Sequence, residues 1–231
     1  MSKNASKILS LNQRMRFIGI RIVYDEADLN LSGHEKLQCD IEKTLIDAAY
    51  EAKNDFRLLS LLMSWLTVHG DYVIVEKLFK LAKLAEKDRE HNPIMNGFAV
   101  CGTINGYLRF KRYVSKSPQD EFLIDQDTTE SFGTYQGYKQ DWSSLGVKVP
   151  LKMIRIRETD VLSAEELARF NLQFRNRLLV GASWRADILT AVDLGIQSAT
   201  EISKTLGCSY EPAHRVLKEY SVVKKISLSA A

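Results

Sequence analysis

The sequence predicts a mainly α protein, a helical N-terminal domain followed by a small C-terminal three-helix module with a short β element. Three observations lead to that class. Apolar residues recur at spacings of three to five across 34–90 and again across 184–220, the signature of amphipathic helices. Serine, aspartate or asparagine stand where those runs begin, and glycines where they end. Alternation of apolar and polar residues, the mark of a strand, is confined to 149–159.

Composition sets the outer limits. A chain of 231 residues that is 45% hydrophobic buries a sizeable core and suits one or two domains. Its longest apolar runs, such as Leu58 to Met63, are too short for a bilayer, and Met1 to Lys7 is polar with no signal-peptide core behind it. The expectation is a cytoplasmic protein without a membrane partner. Cys39, Cys101 and Cys208 are odd in number, widely separated and lack a C-x-x-C pair, which argues against a disulfide framework or a structural zinc site. A net charge of +3 permits nucleic-acid binding without demanding it.

The elements follow in order. From His34 to Lys53, Leu37, Ile41, Leu45, Ile46 and Ala49 form one helical face. Asn54 and Asp55 offer a cap to "FRLLSLLMSWLTVH", a helix apolar nearly all round, which ends at Gly70 in the left-handed conformation. His69 at that end suits an imidazolium on the negative end of the helix dipole. Asp71 caps a third helix, Tyr72 to about Glu90, with an apolar stripe from Val75 to Ala85. Its opposite face carries Lys77, Lys80, Lys83 and Lys87 mixed with Glu76, Glu86 and Glu90, a solvated surface.

Between 92 and 114 the helix-or-strand choice stays open. Gly97, Gly102 and Gly106 lack the spacing of phosphate-binding loops and point to close packing of a helix or sheet. Arg109, Lys111 and Arg112 interleave with Phe110 and Tyr113, a pattern shared by nucleic-acid binders and ordinary amphipathic surfaces. Residues 115–146 read as loop or linker. Asp125 and Asp127 have the spacing of paired metal carboxylates, but without the Gly-Ser turn that precedes them in nucleotidyltransferases they read as a solvated loop. "VPLKMIRIRET" reads as a half-exposed strand with Lys152, Arg155 and Arg157 outward, and Ser163 with Glu166 makes a capping box for a short helix to Phe170. The division is a helical domain at 1–114, a loop-rich connection with a short strand and helix at 115–174, and the module at 175–231.

At the entry to the module, Arg175, Arg177 and Arg185 surround Trp184. They read either as a phosphate clamp or as solvated arginines beside Leu178, Leu179, Val180 and Trp184 packed in the domain interface. Ser183 caps a first helix that closes at Gly195, and Ser198 with Glu201 makes a capping box for the second. Ser209 caps the third, Tyr210 to Tyr220, with Pro212 tolerated in its first turn. In register, "ATEISKTLGCSYEPAHRVLKEY" resembles the winged helix-turn-helix domains of bacterial transcriptional regulators, which run broadly as A-x-E-I-A-x-x-L-G-x-S-x-x-T-V-x-R-x-L-x-x-L. Gly207 falls at the turn, and Ala213 and Leu217 at buried positions. Pro212 and Tyr220 depart from the pattern, and the wing is reduced to one strand within "VVKKISLSAA". The resemblance covers 177–226, about a fifth of the chain.

That resemblance implies a third helix whose N-terminal side chains enter the major groove of duplex DNA. Arg215 and His214 would meet base edges, Ser209, Tyr210 and Lys218 phosphates, and Lys224 or Lys225 the backbone from the wing. Glu211 would accept from a cytosine amine or favour the helix N-terminus. The implied function is a DNA-binding transcriptional regulator, in its antitoxin-like form a repressor of its own operon, with the N-terminal domain serving a homodimer contact, a protein partner or effector sensing. The alternative is a protein-interaction adaptor that uses the helix-turn-helix as a docking surface. No G-x-S-x-G or H-E-x-x-H is present, and His34, His69 and His91 are scattered at helix-end contexts, so no catalytic set, metal site or cofactor is expected.

Overall fold

The computed structural model describes residues 8–22, 31–116 and 121–229, with side chains as far as 223; Met1 to Lys7 lie outside the described residues. Helices dominate: α1 (Leu11–Phe17), α2 (Gly33–Lys36), α3 (Ile41–Glu51), α4 (Phe56–His69), α5 (Val75–Ala85) and α6 (Ile94–Ile104), then α7 (Gln126–Gln136), α8 (Gln140–Ser143), α9 (Ala164–Phe170), α10 (Leu172–Val180), α11 (Trp184–Asp193), α12 (Ala199–Leu206) and α13 (Tyr210–Ser229). The sheet among the described residues is one short parallel pair, β1 (Glu121–Phe122) against β2 (Val147–Lys148). No described helix is long and apolar enough to cross a membrane.

Several expected elements are redrawn by local hydrogen bonding. The helix expected over 34–53 is two helices, because Asp40 caps α3 by accepting from the Lys43 amide. Asp55 caps α4 as expected, accepting from the Arg57 and Leu58 amides. Gly70, however, is right-handed at φ −57. Its need for glycine is space: a Cβ there would stand 2.4 Å from the Tyr107 ring, whose hydroxyl donates to the Thr67 carbonyl. Asp71 does not cap the next helix. Residues 70–72 form a 3-10 turn, α5 begins at Val75, and the Ile74 amide before it donates to the Glu42 carboxylate at 2.9 Å.

The open choice at 92–114 resolves as α6 followed by a 3-10 helix, Leu108–Tyr113. Close packing explains Gly102, where a Cβ would lie 2.4 Å from the Phe110 ring. The reading of 115–146 as loop is overturned by α7 and α8. Asp125 is the cap of α7, accepting from the Thr128 amide and hydroxyl. The strand expected over 149–159 is not formed. Residues 154–157 carry no regular structure, and the amides of Arg155 and Arg157 donate to the Ser60 and Ser64 hydroxyls on α4 instead of to a sheet neighbour. The Ser163–Glu166 capping box of α9 is present in full.

Two apolar cores and a small satellite cluster of Leu9, Phe17 and Cys39 result. The larger runs from Met15 to Phe174 and takes in Leu123, Trp142, Val149, Ile154 and Leu167 from the segment expected only to connect. The smaller is built by Ile188, Ala191, Ile196, Ala199, Ile202, Leu206, Ala213 and Val216, which unite α11, α12 and α13. The wing is contradicted: residues 222–226 continue α13, which runs unbroken to Ser229. The stretch after Tyr220 contains neither glycine nor proline to stop a helix and turn the chain back into a strand.

Candidate nucleic-acid interface

The three-helix module owes its geometry to its turns. Gly195 (φ +99) ends α11, and the Ser198 hydroxyl accepts a long bond of 3.5 Å from the Glu201 amide at the start of α12. Gly207 takes the left-handed conformation, φ +72 and ψ 23, and the Ser203 hydroxyl donates to the Cys208 carbonyl at 2.7 Å across the turn. Ser183 does not cap α11; its hydroxyl lies at 3.4 Å from the Gly181 carbonyl instead.

Ala213 and Val216 face inward on α13. Ser209, Tyr210, Glu211, His214, Arg215 and Lys218 are all exposed, with Glu211, Arg215 and Lys218 spaced at four and three along the outer face. The Tyr210 and His214 rings stack, centroids 5.7 Å apart and 20° between planes. Lys224 and Lys225 stand on the last part of α13, not on a wing, and their side chains lie outside the described residues. Tyr220, the departure from an aliphatic residue, has a specific use: its hydroxyl donates to Asp193 at 3.0 Å and ties α13 to the end of α11. Arg185 pairs with Glu219 at 2.5 Å.

What fixes the module to the rest of the protein is a buried ionic cluster that periodicity did not reveal. Arg177 on α10 spends all five guanidinium protons. Its Nε donates to Asp187 at 3.0 Å, Nη1 to Glu42 at 2.6 Å and the Tyr72 carbonyl at 2.8 Å, and Nη2 to Glu42 at 2.8 Å and Asp187 at 3.0 Å. Lys77, expected on a solvated face, is 1% exposed and pairs with Asp40, with Glu42 at 2.9 Å and with Asp187 at 2.6 Å. Gln173 donates 3.0 Å bonds to both Asp40 and Asp187. The entry segment is thus inverted from expectation at 177–180, while Arg175 is exposed and Trp184 packed as expected. Arg177 is interior, whereas Leu178, Leu179 and Val180 are exposed, because the guanidinium finds two carboxylates and a carbonyl inside while the leucines face solvent.

Burial alone would raise the Asp40 carboxyl, yet Lys77 and Arg177 beside it hold it well below the usual carboxylate range. Burial likewise works against charge on Lys77 and Arg177, and the surrounding carboxylates override it, pushing both pKa values up. The oxygens of Asp40, Glu42 and Asp187 lie within 4.8 Å of one another, a donor set that suits a divalent cation. The Lys77 ammonium contacts all three, so the chain supplies its own cation.

Most of the remaining candidates are spent on structure, while Lys111 is exposed. Phe110 is buried, Arg109 donates to the Asp71 carbonyl at 2.9 Å, Arg112 pairs with Glu76, and Tyr113 stacks on Phe79 at 4.2 Å. Burial works against the expected imidazolium at His69 and lowers its pKa; its Nε2 donates to the Leu162 carbonyl at 2.9 Å, while Nδ1 is buried with no partner among the described residues. Comparison of the chain with protein-family models, curated proteins and solved structures finds no match.

Proposed function

We propose that the protein binds double-stranded DNA through α13 and acts as a transcriptional regulator, in the antitoxin-like form a repressor of its own operon. The observation that carries this reading is a rigid helix-turn-helix whose outermost helix presents Arg215 and Lys218 with no carboxylate paired to either among the described residues. In that geometry Arg215 and His214 reach base edges, Ser209, Tyr210 and Lys218 approach phosphates, and Glu211 accepts from a cytosine amine or sits on the helix N-terminus. Lys224 and Lys225 would extend the contact along the same helix. The larger body would serve a homodimer, a protein partner or an effector.

The test is a salt titration of binding to random and genomic duplexes by the wild type, Arg215→Ala and Lys218→Ala. Affinity falls as salt rises, and Lys218→Ala reduces the log–log slope by about one. Absence of duplex binding at low salt overturns the reading and leaves the adaptor alternative, for which a groove of about 700 Å3 between Val192, Gly195, His214, Leu217 and Tyr220 offers the docking surface.

A further inference from the structure

The segment that joins α5 to α6 carries a histidine whose two ring nitrogens both meet carboxylates. His91 Nδ1 lies 2.8 Å from Glu86, just past the end of α5, and Nε2 lies 3.1 Å from Glu121 on β1. Glu121 has a second partner, accepting from the side-chain amide of Asn96 on α6 at 2.6 Å, and the Asn96 side-chain oxygen accepts the Ser115 amide at 2.9 Å. The Glu121 main-chain amide donates to the Gly146 carbonyl at 2.9 Å, which holds the start of β1 from its other side. Glu86, His91 and Glu121 stand together on the wall of a cleft of about 610 Å3 between α5 and α6, beside Phe79, Met95 and Tyr113.

An ionised carboxylate accepts and does not donate, so each of the two contacts needs a proton on the nitrogen that faces it. Neutral imidazole has one N–H and imidazolium has two, so the arrangement is complete only in the charged ring. The surroundings favour that charge. The bond to Glu121, and after it the bond and the charge of Glu86, raise the His91 pKa above its ordinary 6.5 although burial works against them. Lys53 faces the main-chain side, its ammonium donating to the His91 carbonyl at 3.0 Å. From α5, Lys80 and Lys83 line the same cleft with Glu76, which is paired with Arg112, and α6 adds the uncharged Met95 and Asn96. On the far side of Glu86 stand Tyr50 and Arg89, the guanidinium 4.8 Å from the ring centre.

The two contacts are unequal once a proton leaves. Glu86 is the nearer and only five positions back, whereas Glu121 keeps its bond from Asn96. The neutral ring therefore retains Nδ1–H toward Glu86, and its Nε2 lone pair then faces the Glu121 oxygen. We propose that His91 is a proton-operated clasp between α5 and β1: the imidazolium joins Glu86 to Glu121, and the neutral ring stays with Glu86 and releases Glu121. The ring is exposed, which keeps each contact weak and open to solvent protons and so suits a reversible device. Its contribution is complete below 6.5 and lost as pH rises through the higher folded value. None of Glu86, His91, Asn96 and Glu121 belongs to α11, α12 or α13, so the clasp is independent of the DNA-binding reading.

The experiment is NMR on the full chain, comparing wild type with His91→Gln, Glu86→Gln and Glu121→Gln, all outside the apolar cores. His91 is titrated through its Cε1 proton and ring nitrogens, and hydrogen exchange at the Glu121 amide is compared between wild type and His91→Gln at matched pH. The wild-type ring titrates above 6.5, both carboxylate changes lower that midpoint, and the ring on its alkaline side is the Nδ1–H tautomer. Glutamine at 91 is uncharged at every pH, so on the acid side of the midpoint the Glu121 amide loses protection in His91→Gln, and on the alkaline side the two proteins exchange alike. A wild-type midpoint at or below 6.5, or one that neither carboxylate change moves, overturns the clasp. Equal exchange on the acid side reduces His91 to a surface ion pair, and a difference that persists on the alkaline side makes it a fixed contact; either result overturns the proposal.

Discussion

Replacing Arg177 by methionine tests the ionic cluster most directly. The cluster holds two cations, Lys77 and Arg177, against three carboxylates, Asp40, Glu42 and Asp187, a net charge of −1 (2 − 3). Without Arg177 it becomes −2 (1 − 3), and Glu42 and Asp187 each lose two charge-assisted bonds. Breaking a buried pair from one side costs about 3–5 kcal/mol, a large share of the about 5–15 kcal/mol that holds a native protein together. Urea denaturation followed by circular dichroism measures it.

The loss also carries a sign with pH. Lys77 and Arg177 together hold the Asp40 carboxyl below its ordinary value of 3.8, so part of the wild type's stability is present above that value and lost as pH falls below it. The variant lacks Arg177's share of that stabilisation, so the gap between variant and wild type should narrow as pH falls below about 4. A gap below about 1 kcal/mol, the size of an exposed pair, or one that does not narrow, would refute the argument.

Three further outcomes are expected. His69 is held below its ordinary value of 6.5 by burial, so the unfolded chain takes up the proton first; its contribution is complete above that value and lost as pH falls through it, and His69→Gln should flatten the fall in urea midpoint. Gly207→Ala forces a Cβ into the left-handed region at φ +72 with open space around it, costing about 1–2 kcal/mol by strain alone, measurable as a lowered Tm. Burial pushes the Cys39 thiol up to about 12 and Cys101 up to about 11, so a thiol reagent at neutral pH should label Cys208 first in the native protein and all three in denaturant; equal labelling of Cys39 would refute its placement.

Some features fixed by local bonding were legible in the sequence, although the caps expected at Asp71 and Ser183 do not form. Asp55 before α4, Ser163 with Glu166 before α9 and Gly207 between α12 and α13 all stand where spacing placed them. Features decided by distant partners were not. Alternation at 149–159 does not mark two faces: Ile154 is buried, but Leu151 and Ile156 are exposed along with Arg155 and Arg157, and serine hydroxyls replace the sheet. Lys77 lies on a helix face rich in lysine and glutamate, and what distinguishes it from its solvated neighbours is its pairing with Asp40, Glu42 and Asp187, the last 110 positions away. The outward residues of α13 are exposed as expected, opposite buried Ala213 and half-buried Leu217, while the wing failed because the segment expected to hold one strand carries no stop signal against continuing the helix.

The placing of so much charge at the joint bears on how α13 is aimed. An apolar contact between two bodies tolerates sliding, whereas a planar guanidinium with all five donors committed accepts one arrangement of Glu42, Asp187 and the Tyr72 carbonyl. Asp187 belongs to the first turn of α11, and α11 in turn grips α13 through Arg185 with Glu219 and through Asp193 with Tyr220. An unbroken chain of directional bonds therefore runs from α3 and α5 to the helix that exposes Arg215 and Lys218. A duplex bound on that face would meet the larger body at one set angle, so two copies joined through their larger bodies would present their α13 helices at a fixed separation, the condition for reading two half-sites at a defined spacing.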